Sequence, residues 1–333
     1  MFGTEFLKSL SEVGSTILYI GIGTIIIEGI LYLILEKWLK FKYALPIMLL
    51  APAVIGLSAL VIYPLLWEMN LSFGNMSLNH FKTWDYIGFK NYISVFTDPV
   101  LKQTKFFPLL GKTVLWTFIN VFFHVTVGMI LALLLNRKMK LRGVYRMILI
   151  IPWALPQIIA VLAWRGEFNF SYGFINVMLT QLGFEPVQWL TTPGPNFFAM
   201  CLTNIWLGIP FMMVNLLGGL QSVSGDYYEA AEMDGANAWQ TFWQVTVPLM
   251  RPVIAPLIIL GTVWTFNNFN IPFFINQNEL ESSDILVTAL FRAAFQYNRY
   301  GFSAAFAFVI FMVLVIFTVI YVRRTGTLKG ATE

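Results

Sequence analysis

The chain has 333 residues, of which 58% are hydrophobic and only 11% are charged. A soluble domain of this length needs far more charge to cover its surface, so the composition excludes a soluble globular protein. The formal net charge of +4 does not indicate a nucleic-acid-binding protein, because the Lys and Arg residues cluster beside apolar runs.

Runs of about 20 apolar residues recur along the chain, and each is long enough to cross the bilayer core as a helix. Seven spans are predicted, at 14–35, 44–67, 112–135, 144–164, 196–220, 253–275 and 302–322. Glu28 lies in the middle of the first run, where a charge is costly, so an interfacial helix is the alternative there. The predicted fold class is an all-α polytopic membrane protein.

Basic residues follow spans one, three and seven, whose following loops share one side of the membrane in a seven-span count. They are Lys37, Lys40, Lys42, Arg137, Lys138, Lys140, Arg142, Arg323, Arg324 and Lys329. The positive-inside rule makes that side cytoplasmic, which places the N-terminus outside and the C-terminus inside. The 69–111 loop is then external. Its lysines are spread over a longer stretch: Lys82, Lys90, Lys102 and Lys105.

Polar residues within the spans are expensive and usually face a bundle interior or a cavity. In the fifth span, "TNIWLGIPFMM" places Asn204, Gly208 and Phe211 on one helical face, at i, i+4 and i+7. Pro210 is expected to kink this helix and to free nearby carbonyls. Gly208 is expected to leave the space that a ligand ring would occupy.

The sixth span contains "WTFNNFNIPFF", in which Asn267, Asn268 and Asn270 stand near Trp264, and Gln157 follows a "PWALP" break in the fourth. Asparagine amides both donate and accept hydrogen bonds, and aromatic faces can stack on a sugar ring. This combination suits an uncharged polyol. The alternative is that the asparagines bond neighbouring helices together, and for Asn270 this alternative is favoured.

The polar segment between spans five and six predicts two short helices. It reads "DYYEAAEMDGANAWQTFWQVTVPLMRP", from Asp226 to Pro252. Asp226 and Glu229 have the spacing of a capping box, Gly235 suits a helix C-terminus, and Asn237 can cap the second helix. Two prolines are expected to disturb its continuation into the next span: Pro248 and Pro252.

The same segment is acidic and aromatic, which favours a surface that docks on another protein. Four acids stand against a single base, Arg251; they are Asp226, Glu229, Glu232 and Asp234. The alternative is an amphipathic helix on the membrane surface, for which an acidic face is poorly suited because cytoplasmic leaflets carry anionic lipid.

The order Glu-Ala-Ala, Asp-Gly-Ala, aromatic stretch and proline resembles the "EAA" loop of permease subunits in binding-protein-dependent ABC importers. The residues that carry the resemblance are Glu229, Ala230, Ala231, Asp234, Gly235, Ala236 and Pro248. In that family the loop forms a coupling helix that sits in a cleft of the cytoplasmic ATPase. The resemblance therefore implies that these residues couple ATP hydrolysis to the membrane spans.

Three further stretches, "IPWALPQIIAVLAW", "NIWLGIPFMM" and "WTFNNFNIPFF", resemble the larger permease subunit of maltose-type sugar importers. The resemblance runs from about Lys112 to the C-terminus. It implies a six-helix core of the type I importer fold, here preceded by one extra N-terminal span. The external loop is short, whereas the maltose subunit of enteric bacteria carries a large inserted domain there.

The implied organisation has three parts. Residues 1–43 are the extra span and a cytoplasmic linker, 44–325 are the permease domain, and 326–333 are a cytoplasmic tail. The permease domain contains the external loop 69–111 and the coupling loop 222–252.

The resemblance also implies substrate contacts at particular positions. Six residues match sugar-contacting positions of the maltose subunit: Leu207, Gly208, Phe211, Trp264, Thr265 and Asn268. Asn204 and Asn267 lie beside them, and Gln157 joins the predicted site from its place after the helix break. Some of the matched side chains differ in type from those of the maltose subunit, which leaves the particular sugar open.

No GxxxxGK[ST] loop occurs in the sequence, so ATP and Mg are expected to bind partner subunits and the chain is not expected to be an enzyme. His80 and His124 lack metal-ligand spacing; no metal site is predicted, and His124 is expected to pack between helices. The expected partners are a second permease subunit, two ATP-binding subunits, an extracytoplasmic sugar-binding protein and membrane lipids, without nucleic acid. The expected location is a bacterial or archaeal inner membrane.

Two alternative functions remain at this stage. A permease for glycerol phosphate should carry Arg or Lys within its spans, and none is central here. An ion-coupled secondary transporter should carry acids inside several helices, and only Glu28 qualifies.

Overall fold

The computed structural model describes residues 2–101, 104–276 and 283–326. These residues are almost entirely helical, and the single extended pairing among them is an isolated antiparallel bridge between Gly74 and Tyr86. The helices are α1 (Phe2–Leu31), α2 (Ala44–Leu57), α3 (Tyr63–Ser72), α4 (Lys90–Thr97), α5 (Phe106–Asn136), α6 (Arg142–Ala154), α7 (Gln157–Glu167), α8 (Phe174–Gln181), α9 (Pro193–Ser222), α10 (Asp226–Met233), α11 (Ala238–Thr241), α12 (Val247–Phe266), α13 (Asn270–Asn276), α14 (Leu286–Phe291) and α15 (Tyr300–Thr325). Short π-helical segments occur at Tyr32–Trp38, Ser58–Ile62, Phe242–Thr246 and Arg292–Gln296.

The chain divides into two compact units, Met1–Asn70 and Leu71–Glu333. The first contains two long apolar helical stretches, Ser11–Trp38 and Ala44–Ser72, the second of which ends just inside the second unit. The predicted limits of the extra span with its linker (1–43), the permease domain (44–325) and the tail (326–333) remain predictions. Two of the predicted basic residues, Lys102 and Lys329, lie outside the described residues, as does the predicted tail beyond Gly326.

Six helical stretches of the described chain are long and apolar enough to cross a bilayer, and a bent pair makes a seventh candidate. The prediction of about seven spans is therefore confirmed, with corrections to two of them. The predicted span at 144–164 is two helices, α6 and α7, that meet at 90°. Leu155 between them is extended because the following residue, Pro156, excludes it from helical geometry.

The predicted sixth span is also broken. The helix α12 ends at Phe266, and α13 begins only at Asn270. The break falls on the asparagine cluster, whose short amides compete for backbone groups and so weaken the helix at this point. Two broken spans, α6–α7 and α12–α13, thus interrupt the second unit in the middle of their apolar stretches.

Close helix contacts in the second unit depend on glycine. A Cβ on Gly128 of α5 would lie 2.9 Å from the Cβ of Met212 on α9, and a Cβ on Gly261 of α12 would lie 2.5 Å from the terminal methyl of Met212. Small residues at such crossings let apolar helices pack by van der Waals contact in lipid, where no hydrophobic force drives them together. The three helices therefore form one tightly packed centre.

The segment after α3 is folded onto the start of α15. The Asn91 amide is buried and donates to the carbonyls of Ser72 and Gly74, at 2.9 and 2.8 Å. Gly301 at the start of α15 has no room for a side chain, because its Cβ would lie 2.1 Å from the Gly74 carbonyl oxygen. This part of the predicted external loop is therefore held by specific backbone contacts.

A buried ion pair joins Asp284, just before α14, to Arg292, just after it. The Arg292 guanidinium Nε lies 2.7 Å from the Asp284 carboxylate Oδ2, and the two side chains are only 2% and 1% exposed. Burial raises the pKa of the Asp284 carboxyl to about 6, although Arg292 opposes that change. Neither residue stands out in the sequence, because a charge near the end of an apolar run is ordinary there.

Candidate functional site

A cavity of about 500 Å³ opens where the two broken spans face α9 and α5. All nine residues predicted to contact substrate line it: Gln157, Asn204, Leu207, Gly208, Phe211, Trp264, Thr265, Asn267, Asn268. Seven further residues complete the wall: His124, Trp153, Met212, Gly261, Val263, Phe269 and Asn270. The structure therefore brings the predicted residues together at one place, and their role in binding remains a prediction.

One wall of the cavity is aromatic. The ring centroids of Phe211 and Trp264 are 5.0 Å apart, and those of Phe211 and Trp153 are 5.9 Å apart. Trp153 and Trp264 are each about half exposed, at 54% and 55%. Exposed aromatic faces of this kind can stack on apolar C–H faces, so the wall suits a ring-shaped ligand.

The polar part of the cavity lining carries amides that are already bonded to one another. Asn268 Nδ2 donates a long hydrogen bond of 3.4 Å to Asn204 Oδ1, and the Ile271 amide donates to Asn268 Oδ1 at 3.2 Å. Asn268 thus joins α9 to the break and also caps α13. Asn270 Nδ2 donates to Gln157 Oε1 at 2.7 Å, which links α13 to α7 and agrees with its expected role between helices.

The amide network leaves capacity for a ligand. The Asn204 Nδ2 group is buried and finds no hydrogen-bond partner among the described residues. Asn267 is exposed and its amide donates only to the carbonyl of Val263, one turn earlier on its own helix. Because each side-chain amide offers two donors and an acceptor oxygen, bonding between helices and bonding to a ligand are compatible here.

His124 is a wall residue that sequence reasoning assigned to packing. Its Nε2 lies 2.9 Å from the carbonyl oxygen of Asn204, which can only accept, so Nε2 carries the proton. The ring is buried and lies directly over Gly208. Helix packing is thus part of its role, and the position of the ring in the cavity wall is what the sequence did not indicate.

The expected role of Gly208 needs correction. A Cβ at this position would lie 2.2 Å from Nε2 of the His124 imidazole, so the space beside Gly208 is filled by that ring. The glycine therefore admits the histidine, and a larger side chain there would displace His124 before it met a ligand. Substitution at 208 alone cannot distinguish binding from packing.

The cavity carries no charged side chain among its lining residues. Its polar groups are five side-chain amides, two indole N–H groups, one hydroxyl and one imidazole, which offer uncharged donors and acceptors. Gly261 could have been found from the sequence, since it precedes Trp264 and Asn268 at i+3 and i+7 on the same helical face.

The predicted coupling loop contains two helical segments, as expected. Gly235 has φ of +76° and ends α10, with the Ala236 amide donating to the Ala231 carbonyl at 2.9 Å. This is the left-handed C-terminal geometry that favours glycine. Asn237 and Gln240 form a reciprocal capping box at the start of α11, with bonds of 2.9 and 2.8 Å.

Two details of the loop differ from the prediction. Gly225 is the N-cap of α10, and Asp226 lies within its first turn, where its charge favours the positive end of the helix dipole without a capping bond. Pro248 and Pro252 do not interrupt the second helix, which continues from Ala238 into the span. A π-helical turn, Phe242–Thr246, widens the backbone directly before Pro248 and accommodates its missing N–H.

The predicted coupling loop exposes both its acidic and several of its large apolar side chains. All four acids are exposed, and within the described chain none of them forms an ion pair. Met233, Trp239 and Tyr227 are also exposed, at 84%, 70% and 55%. Acidic and large apolar groups that share one uncovered surface are typical of a site that another protein covers.

The sequence of this chain is similar to those of known transport permeases. Residues 124–324 match the family described as "Binding-protein-dependent transport system inner membrane component". The sulfoquinovosyl glycerol transport system permease protein of Agrobacterium fabrum is 35% identical over 87% of this chain and 94% of its own length. The galactooligosaccharides transport system permease protein of Bacillus subtilis is 32% identical, over 85% of this chain and 71% of its own.

An archaeal protein and a solved structure extend the comparison. The trehalose/maltose transport system permease protein of Thermococcus litoralis is 34% identical over 72% of this chain and 79% of its own. A chain in the crystal structure of a bacterial ABC transporter involved in the import of the acidic polysaccharide alginate has a TM-score of 0.73 at 22% identity. The match covers 85% of this chain and 96% of that one, and it shows a shared fold.

Proposed function

The chain belongs to the family of binding-protein-dependent transport system inner membrane components, and from that membership we propose that it lines the inward path of an uncharged sugar. It is a multi-pass permease subunit of an inner-membrane ABC importer. The observation that carries the proposal is the cavity at the two broken spans, whose lining combines three aromatic rings in mutual contact with uncharged amides. The relatives named for galactooligosaccharides and for trehalose or maltose support a sugar.

The phosphorylated polyol is disfavoured by the same cavity. A phosphate group is best held by Arg or Lys, and the lining residues include neither. A neutral hydroxyl needs only donors and acceptors, which the Asn and Gln side chains supply. The size of the cavity, about 500 Å³, is within the range of small-molecule sites.

The remaining subunits of the importer are proposed from the family and, for the ATPase, from the surface of the coupling loop. The acidic, exposed coupling loop is the proposed contact with one of two ATPase subunits, which would bind ATP and Mg and carry out hydrolysis. A second permease subunit and an extracytoplasmic sugar-binding protein complete the proposed assembly. The C-terminus is proposed to be cytoplasmic, on the side that holds Lys140 and the coupling loop.

The experiment that tests the sugar path compares two tryptophans of equal exposure. Trp264 lines the cavity and is 55% exposed, whereas Trp67 belongs to the first unit and is 53% exposed. Uptake of labelled neutral oligosaccharides is measured per assembled complex in Trp264→Ala and in Trp67→Ala. We expect a several-fold loss in the first variant alone. Equal uptake in both variants would move the sugar path away from this cavity.

A further inference from the structure

A second cavity lies between α5, α12 and α15, and its wall is apolar. Its volume is about 430 Å³, and no charged residue lines it. Representative wall residues are Phe122 on α5, Ile258 and Thr262 on α12, and Leu314 and Phe317 on α15. We call it the lateral groove. Phe122 is 51% exposed, so within the second unit the groove is open on its flank.

The lateral groove ends at Tyr321, and this side chain also lines a third cavity of about 420 Å³. That cavity lies where α12 begins and α15 ends, and it holds Arg251 and Arg324. Both arginines are exposed, and neither forms an ion pair with any residue that the structure describes. We call this cavity the arginine pocket. An apolar groove therefore leads directly into a pocket with two unneutralised positive charges.

The combined length fits one leaflet of a bilayer. From Arg251 to Phe266 the helix α12 runs fifteen residues, about 22 Å at the usual rise of 1.5 Å per residue. Half of a bilayer with its headgroups measures about 20–22 Å. Five of the α12 residues that line the two cavities recur at helical spacing, so these five form a stripe along the helix: Arg251, Ile254, Ile258, Thr262, Phe266.

We propose that the lateral groove and the arginine pocket together bind one anionic phospholipid, with an acyl chain in the groove and the phosphate between Arg251 and Arg324. Guanidinium groups bind phosphate through charge-assisted hydrogen bonds, and basic pockets between spans bind anionic headgroups. An apolar helix of another subunit would fill the groove and leave both arginines unneutralised. A free phosphate would neutralise the arginines and leave the groove empty.

The bound lipid would brace the helix that joins the coupling loop to the sugar cavity. The helical stretch that begins at Ala238 in the coupling loop passes Arg251 and continues to the break at Asn267. A phosphate held by Arg251 and Arg324 would tie the start of α12 to the end of α15. The inference is independent of the transported sugar, since none of its residues lines that cavity.

The test uses the full chain in its detergent-extracted complex, with added dioleoyl phosphatidylglycerol or dioleoyl phosphatidylcholine. Bound lipid is counted by native mass spectrometry, and the melting temperature is recorded in each lipid. The variant is the double change Arg251→Gln/Arg324→Gln. Arg323→Gln is the matched control, because Arg323 is an exposed neighbour on α15 that lines neither cavity.

We expect retained phosphatidylglycerol and a raised melting temperature in the unaltered chain and in Arg323→Gln. Each basic side chain near an anionic surface contributes about fivefold in affinity, so the double variant should bind phosphatidylglycerol about 25-fold more weakly. Its melting temperature in phosphatidylcholine should be unchanged, which shows that it folds. Equal protection by both lipids in the unaltered chain would overturn the proposal. Undiminished phosphatidylglycerol binding in the double variant would also overturn it. So would a cross-link to another subunit in every complex, formed by a photoreactive side chain placed at position 317.

Discussion

Replacing Asn268 by serine or by alanine separates the two roles that its amide can have. Its Oδ1 accepts from the Ile271 amide and caps α13, whereas its Nδ2 reaches across to Asn204. Serine at an N-cap position is as effective as asparagine, but its side chain is too short to reach the neighbouring helix. Asn268→Ser should therefore keep the cap and lose the outward amide. Asn268→Ala should lose both.

The expected magnitudes follow from the bonds that each variant removes. Loss of the cap in Asn268→Ala should cost about 1 kcal/mol of helix stability and lower the melting temperature of the complex. One lost hydrogen bond to a sugar hydroxyl is worth about 0.5–1.5 kcal/mol, which is about 2- to 12-fold in transport. Asn268→Ser should then transport 2- to 12-fold more slowly at a nearly unchanged melting temperature, because its 3.4 Å bond to Asn204 is long and contributes little.

The assay measures sugar uptake and extracted complex side by side in the same cells. Asn270→Ala is the matched control, since its amide is engaged with Gln157 between α13 and α7. This control should lower the melting temperature and spare uptake per complex. If Asn268→Ser instead behaves like Asn270→Ala, with normal uptake per complex, the amide at 268 is a packing group and the reasoning about the sugar is refuted.

Three further predictions concern positions outside the amide network. Gly208→Ala should destabilise the complex by about 1–3 kcal/mol and lower its melting temperature, because the new Cβ would lie 2.2 Å from the His124 imidazole. An unchanged melting temperature would show that the ring is free to move. Glu229→Lys should uncouple ATP hydrolysis from uptake, measured in reconstituted vesicles, because it reverses an exposed charge on the coupling loop. The control is Glu185→Lys, which reverses an exposed charge between α8 and α9 and should transport normally. Full uptake in both variants would contradict the coupling role of the loop. Arg292→Met should destabilise the complex by about 3–5 kcal/mol, since it leaves Asp284 buried without its partner, and Asp284→Leu in the same chain should restore most of the thermal stability; no restoration would show that the pair is not the cause.

Orientation in the membrane can be tested with single cysteines after Cys201 is replaced. Lys82 is exposed in the predicted external loop, and Lys140 is exposed in the turn between α5 and α6. Asn91 is unsuitable as the external site because its side chain is buried and bonded. An impermeant thiol reagent applied to spheroplasts should label position 82 and not position 140, and the reverse pattern would invert the proposed topology.

The span pattern and the two short helices of the predicted coupling loop could be predicted because their signals are local. About 20 apolar residues in a row define a membrane helix without knowledge of its neighbours. Gly235 and Asn237 likewise end and begin helices through bonds to residues within five positions. The two errors in the loop are also local. Gly225 is the N-cap of α10, where Asp226 was predicted, and the second helix continues through Pro248 after a π-helical turn, where an interruption was predicted. Their signals favour several neighbouring positions almost equally.

The histidine in the cavity wall could not be predicted, because its role depends on a contact between residues far apart in sequence. His124 and Gly208 belong to different helices, α5 and α9, and nothing within either apolar run pairs the two residues. Only the close approach of α5 to α9 places the imidazole over the glycine and against the Asn204 carbonyl. Because the helices approach this closely, the space beside Gly208 is occupied by the His124 side chain and not by a ligand. A residue's spacing on one helix therefore indicates which face it shares, whereas the facing helix decides what that face contacts.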